Sequence, residues 1–305
     1  MKRMDWLRLL SLSAVWGASF IFMRVLAPVL GPVVTADLRV AIGGGALLVY
    51  SGLIRFRPLW RRHGRHYAVI GVFNVGLPFL LFSYAAQHMP ASYSAIVNAS
   101  TPLFGSVFAA VWLGEAFTPI KAAGLALGIA GVATLTGAGL PANTSSEFIH
   151  AVLACLLAAA SYAAAGIYIK RAASHVHPLG SAACTQAFAA VALVPFWLVA
   201  PPAGPVDTII VLNVLGLGLL SSALGFLLYF RLVQDIGPAR AMMVAFLTPL
   251  FGVVWGTLFL GETLTPAALV GGAMIVLSTL LILKSGTRAT QEKALHAQDG
   301  PSTRA

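Results

Sequence analysis

Few side chains in this sequence can do chemistry, and most of those few sit inside long apolar runs. Arg39, with Asp37 two residues before it, falls within the run Pro32–Ile54. A charge at the centre of a bilayer-spanning helix costs at least about 2.5–3.5 kcal/mol, so it must face protein or a water-filled cavity. Residues two apart do not share a helix face, which makes Asp37 a poor partner for Arg39. Arg24 is a better partner for Asp37: if the chain turns back near Val29–Gly31, the two lie at similar distances below the turn. The expectation is an Arg24–Asp37 ion pair that leaves Arg39 available to an anionic group. The alternative is a structural Arg39 bonded to backbone carbonyls.

Other candidates gather around these charges. Trp16 and Phe20 lie four apart on one helix face, and aromatic rings near mid-membrane suit stacking or cation contacts. Packing against a neighbouring helix is the plainer reading. Asn74, Asn98, Gln186 and Asn213 are polar residues in apolar surroundings, so they should point inward, to a solute or to another helix. Pro102, one turn beyond Asn98, and Pro249 would each kink a helix and free a carbonyl, as a hinge or as a fixed bend. Glu115 and Glu262 precede Thr118-Pro119 and Thr265-Pro266. Thr caps helices and Pro suits a first turn, so these carboxylates read as companions of helix starts and not as proton-coupling groups.

Catalytic constellations are missing from the pattern. The seven histidines fall in loops, helix ends or the tail, without metal-ligand spacing on a helix. No glycine-rich phosphate loop precedes a Lys-Ser/Thr pair. Cys155 and Cys184 lie in apolar runs and read as small buried hydrophobes. Neither an enzyme nor an ATP-driven pump is expected, and no metal or cofactor.

The elements that must position these residues follow from composition. Of the 305 residues 59% are hydrophobic and only 9% charged, against about 25% charged in soluble domains. The net charge of +10 does not point to nucleic acid, because the Lys and Arg flank apolar runs, with Arg55, Arg57, Arg61, Arg62 and Arg65 between two of them. Ten segments approach the ~20 residues that span a bilayer: Leu7–Leu26, Pro32–Ile54, Tyr67–Gln87, Ala91–Leu113, Pro119–Gly137, Phe148–Ile169, Pro178–Val199, Ile209–Phe230, Ala241–Leu260 and Pro266–Leu283. The first reads as a retained helix and not as a cleaved signal. With both termini cytoplasmic, 17 of the 19 Lys and Arg fall inside, as basic loops require.

The chain also repeats itself. Thr101-Pro102-Leu103-Phe104-Gly105, Leu113-Gly114-Glu115 and Thr118-Pro119 recur as Thr248-Pro249-Leu250-Phe251-Gly252, Leu260-Gly261-Glu262 and Thr265-Pro266, all 147 residues on. Earlier in each half, Arg24 and Pro32 match Lys170 and Pro178 at a spacing of 146, which sets Tyr162 opposite Trp16. Five helices per copy is an odd number, so the second copy enters the membrane from the other side. Inverted repeats are an architecture of secondary transporters. Gly124-x3-Gly128 and Gly252-x3-Gly256 read as packing seams, within one chain or between two copies in a homodimer.

With these repeats, Trp16-Gly17, Arg39 and Gln186, the sequence resembles the drug/metabolite transporter superfamily, in particular its ten-helix EamA-type members. The resemblance implies an all-α integral membrane fold of ten transmembrane helices in two inverted five-helix repeats, 1–140 and 147–284, with a cavity between them and alternating access. The tail, 285–305, is expected to be a disordered cytoplasmic extension. The expected activity is export of amino acids or related small metabolites across a bacterial cytoplasmic membrane, with the lipid bilayer and the solute as partners. Efflux of drugs or dyes, or carriage of phosphorylated or nucleotide-linked sugars, are the alternatives. A membrane-embedded enzyme or a receptor ranks behind both.

Overall fold

The structure, a computed structural model, describes residues 2–137 and 145–298, and no strand occurs among them. The first helical stretch, Arg3–Leu53, is broken at Gly31, where φ 78° and ψ 162° lie outside the helical region. Only glycine adopts that backbone freely, and Pro32 after it disfavours a helical Gly31. The stretch is therefore two helices, α1 (3–30) and α2 (32–53). They fold back on each other: Arg39 Nη1 lies 3.6 Å from Met23 Sδ, and both residues are eight positions from the break.

The remaining helices are α3 (Trp60–His88), α4 (Ala91–Leu113), α5 (Pro119–Gly137), α6 (Ser146–Ala173), α7 (Pro178–Leu198), α8 (Thr208–Ile236), α9 (Val244–Leu260) and α10 (Pro266–Gln298). All but α9 belong to stretches long and apolar enough to cross a bilayer, and α9 is an apolar helix only slightly shorter. With the first stretch counted as two crossings, the fold is ten membrane helices. The tail differs from the expectation, because helical backbone continues through Gln298. Lys284 ends the apolar signal, but Ala289, Gln291, Glu292, Lys293, Ala294 and Leu295 are good helix formers. Residues 299–305, like 138–144 between the repeats, lie outside the described residues.

The internal repeat is visible in the packing. α4 and α9 both end on a left-handed glycine, Gly114 (φ 65°) and Gly261 (φ 64°), the usual helix stop. A methyl group added at Gly71 would lie 2.6 Å from the carbonyl oxygen of Thr185 and 3.2 Å from Phe188 Cβ. At the equivalent Gly218 it would meet the equivalent residues, Ile42 Cβ at 2.7 Å and the Arg39 carbonyl at 3.6 Å. Helix α5 meets its own counterpart α10 in the same way. Gly124 faces Ser278 and Ile282, while Gly271 faces Gly131 and Leu135, each residue 147 from its equivalent.

That last crossing also fixes the direction of the repeats. Gly124 is opposite Ile282, Gly131 opposite Ile275, and Leu135 opposite Gly271, so numbers fall along α10 as they rise along α5. Equivalent helices that pack antiparallel are related by an axis in the membrane plane, and the two repeats are inverted. The same holds for α4 and α9, where Ala95 faces Gly252 and Ser92 faces Gly256. Both glycine seams noted in the sequence are thus used inside the chain.

At Gly131 and Gly271 an added Cβ would sit 2.8 Å and 2.5 Å from the opposite glycine's carbonyl oxygen, whereas at Gly105 it would meet nothing within 4 Å. Gly131→Ala and Gly271→Ala should each destabilise the protein by about 1–3 kcal/mol through overpacking. A lower Tm in detergent for both, with none lost in Gly105→Ala, is the expected result.

Candidate functional site

By its chemistry, the buried cation Arg39 marks the candidate site. Eight residues from the turn at Gly31 is about 12 Å at 1.5 Å per residue, close to the middle of a ~30 Å hydrocarbon core. The side chain is held from three directions. Nε donates to Ser222 Oγ on α8 at 3.1 Å, Nη1 approaches Met23 Sδ on α1, and the guanidinium lies 3.6 Å above the Phe79 ring on α3. Arg39 is 6% exposed, and among the described residues no carboxylate stands within 4.0 Å of it.

The expected Arg24–Asp37 pair does not form. Arg24 Nη1 instead donates to the Ala86 carbonyl on α3 at 2.6 Å. Helix rotation is the cause: Met23 points at α2, so Arg24, a further 100° around α1, points at α3. Asp37 is buried and faces the Trp197 indole on α7, although its Oδ1 closes no hydrogen bond of standard geometry.

The aromatic residues divide into two groups. Phe20 meets Phe82 edge-on at 5.5 Å, and Phe82 stacks on Tyr162 at 6.2 Å. Tyr162 also lies near Arg39. Phe20, Tyr162 and Arg39 thus converge on one face of α3 through Phe79 and Phe82. Trp16 does not join them; it packs on Tyr229 at 5.5 Å and Phe226 at 6.2 Å on α8. The repeat explains the split, since Trp16–Tyr229 is the counterpart of Tyr162–Phe82 in the other half.

The polar candidates disperse. Gln186 is fully buried where α7 crosses α2, its Nε2 bonded to Ala182 of its own helix and its side chain packed against Gly43 and Gly44. Asn74 is half-buried in a π-helical turn of α3, 72–76. Asn213 donates to Ile209 of its own helix. Asn98 keeps a buried Oδ1 without a hydrogen-bond partner. Its carbonyl, which Pro102 frees, is taken by Thr101 Oγ1 at 2.8 Å, so no bare carbonyl is left there. α4 is interrupted at Ala99-Ser100, whereas α9 runs unbroken through Pro249.

Sequence reasoning passed over Met23, Phe79, Phe82 and Ser222. A signal existed for three of them: Phe79 and Phe82 are three apart in α3, and Ser221-Ser222 is a polar pair in a strongly apolar helix. Two crevices, of about 490 and 520 Å³, flank the bundle at equivalent places. One lies among Phe73, Trp112, Ala164 and Tyr168, the other among their counterparts Leu220, Phe259, Ala18 and Phe22. Arg39 lines neither.

The two motif glutamates do not serve α5 and α10 as expected. Glu262 accepts hydrogen bonds from the first turn of α4, while Glu115 pairs with Lys170 at 2.9 Å and Lys121 at 3.8 Å.

A polytopic bundle of two inverted repeats with a mid-membrane polar centre defines a membrane transporter. The chain belongs to the EamA-like transporter family, which matches residues 6–137 and 149–284. It is 31% identical over 284 residues to the uncharacterised transporter YvbV of Bacillus subtilis, covering 92% of this chain and 90% of that one. It is 27% identical over 276 residues to a probable terminal-alkyne amino-acid exporter of Streptantibioticus cattleyicolor, covering 88% and 89%. A solved crystal structure shares the fold at TM-score 0.64 and 19% identity, over 95% of this chain and 99% of that one.

The Lys170 ammonium, with Lys121 behind it, holds the half-exposed Glu115 carboxyl below the usual carboxylate range. A carboxyl depressed on folding stabilises the fold above its ordinary value of 4.5 and loses that contribution as pH falls below it. The Tm advantage of the wild type over Lys170→Met should therefore be present near neutral pH and shrink in thermal scans below about pH 4.5.

Proposed function

We propose that this chain is a secondary transporter that exports amino acids or related small metabolites by alternating access. Its two inverted repeats, over 1–140 and 147–284, would rock about a binding centre at Arg39. The observation that carries this reading is the mid-membrane guanidinium with aromatic walls and no carboxylate partner among the described residues. Such a group offers charge-assisted hydrogen bonds to a carboxylate, and the rings of Phe79, Phe82 and Tyr162 suit the apolar part of a small solute. The relative from Streptantibioticus cattleyicolor, named for amino-acid export, supports the same class.

Pro102 and Pro249 act as hinges, and Phe20 and Tyr162 line the centre. From the sequence, Trp16, Asn74, Asn98 and Gln186 are expected to bind the solute as well; Trp16 packs on α8 and Gln186 at the α2–α7 crossing, so this reading rests on Arg39, Phe20 and Tyr162. The termini face the cytoplasm and the membrane is a bacterial inner membrane, in keeping with the basic segment between α2 and α3. Both small-residue seams are occupied within the chain, so nothing favours a homodimer. Transport needs no bond-breaking chemistry and no cofactor in this reading. A phosphorylated sugar would call for several intramembrane cations, and among the described residues Arg39 is the one cation placed at this centre. Dye efflux is the nearer rival, given the aromatic walls.

In cells overproducing the protein, resistance to toxic amino-acid analogues but not to cationic dyes is the expected outcome. Arg39→Gln should lower efflux at least about tenfold, the scale of a lost charge-assisted bond, with membrane insertion and gel-filtration behaviour intact. Unchanged efflux in that variant would remove Arg39 from the site, and resistance to dyes alone would replace the amino-acid reading.

A further inference from the structure

The two repeats are closed unequally at their ends, and the inequality lies in the residues that receive Glu262. At the junction of α4 and α9, Ala91 N–H donates to Glu262 Oε1 at 2.6 Å, and Ser92 N–H and Oγ donate to Oε2 at 2.9 and 2.5 Å. These two amides open α4 and have no partner within the helix, and the carboxylate meets the positive helix end. Gly256 leaves the space, since a Cβ there would collide with both Glu262 and Ser92. Beside the carboxylate, Tyr93 and Thr265 hydroxyls bond at 3.2 Å. The C-terminal end of α9 is thereby fastened to the N-terminal end of α4.

The equivalent junction, where Glu115 would meet the start of the α9 segment, cannot be built the same way. At a spacing of 147, Ala91 becomes Pro238, which has no N–H, and Ser92 becomes Ala239, which has no hydroxyl. Gly256 corresponds to Ala109, whose Cβ takes up the space. Glu115 turns instead to Lys170 and Lys121. Three changes at three receiving positions leave, among the described residues, one latch of this kind in a protein whose motifs are duplicated.

We infer that Glu262 is a positioning residue for transport: it latches the face of the bundle opposite the arginine-rich 55–65 segment with three hydrogen bonds, while on the arginine-bearing face the fastenings among the described residues are solvent-exposed ion pairs, Glu115–Lys170 and Arg8–Asp235, of the kind that contribute little. This rests on the transporter reading above, and it adds that the resting state is closed on the outer face and biased to open towards the cytoplasm. An exporter with that bias waits in the state that admits its cargo.

The test measures distances between spin labels in the full chain in nanodiscs without substrate, with the buried Cys155 and Cys184 replaced by alanine. One pair, at His88 and Thr263, which are both exposed, spans the latched face. A second, at Phe117 and Arg240, also exposed, spans the other. In Glu262→Gln the first distance should lengthen by several ångströms and the second shorten. Ser92→Ala, which removes one of three bonds, should shift both in the same directions by less. An unchanged first distance overturns the latch. So does lengthening at both faces, which is loosening, and so does lengthening at the first alone, which is local fraying. These readings are independent of flux, so the latch can fail while export stands, and export can fail while the latch stands.

Discussion

Between helices immersed in hydrocarbon there is no hydrophobic driving force, because lipid tails are as apolar as leucine. What remains is close packing, and close packing demands backbone at the contact. The crossing of α5 with α10 meets that demand with glycines at 131 and 271 whose carbonyls face each other's Cα. The pseudo-two-fold relates this contact to the one between Ser278 and Gly124, so one contact geometry appears twice in the same interface. The rest of the architecture depends on it. Because the two helices are equivalent and antiparallel, α1 must sit on α9 as α6 sits on α4, and α2 must cross α7.

That symmetry delivers Arg39 to the centre of the bundle, and the energetics there are close to balanced. Burying the guanidinium costs a few kcal/mol by insertion scales. A desolvated stack on Phe79 returns about 2 kcal/mol, and one charged hydrogen bond to Ser222 about 1.5–3 kcal/mol. The sum is enough to hold the cation without a carboxylate. A carboxylate from the protein would have tied the charge up; neutral partners leave its electrostatic demand open to a solute anion. Arg39 is therefore tolerable with neutral partners alone, as the proposal that it binds a solute anion requires.

The sequence made the fold legible because the relevant information is one-dimensional. Apolar runs of bilayer length, the basic segment 55–65 and motifs repeated at a spacing of 147 do not depend on side-chain direction. The inversion followed from counting, and the antiparallel α5–α10 crossing bears it out. The site was read less well, because convergence depends on helix rotation. Arg24 and Asp37 share a depth but not a direction, and Trp16 and Phe20 share a helix face yet lean on different neighbours, α8 and α3. Gln186 was found by its polarity, but only the packing of Gly43 and Gly44 against it puts it at a helix crossing. The continuation of α10 beyond Lys284 was missed because the end of an apolar signal marks the edge of lipid, not the end of a helix.

The repeated Thr-Pro step takes two forms in the molecule. In α9, Thr248 Oγ1 bonds the carbonyl of Val244, four residues back, and the helix runs on through Pro249. In α4, Thr101 Oγ1 bonds the carbonyl of Asn98, three residues back, and the helix breaks at Ala99-Ser100. One motif thus stands in two conformations within one molecule, and its hydroxyl finds a carbonyl in both. A proline alone would leave a buried carbonyl bare in at least one state, at a cost of about 1–3 kcal/mol. In α4 the threonine takes the carbonyl that Pro102 frees, that of Asn98, whereas in α9 it bonds Val244, one residue before the Ala245 carbonyl that Pro249 frees. The threonine therefore covers the freed carbonyl in the broken helix, where a low-dielectric medium would make it costliest to leave bare.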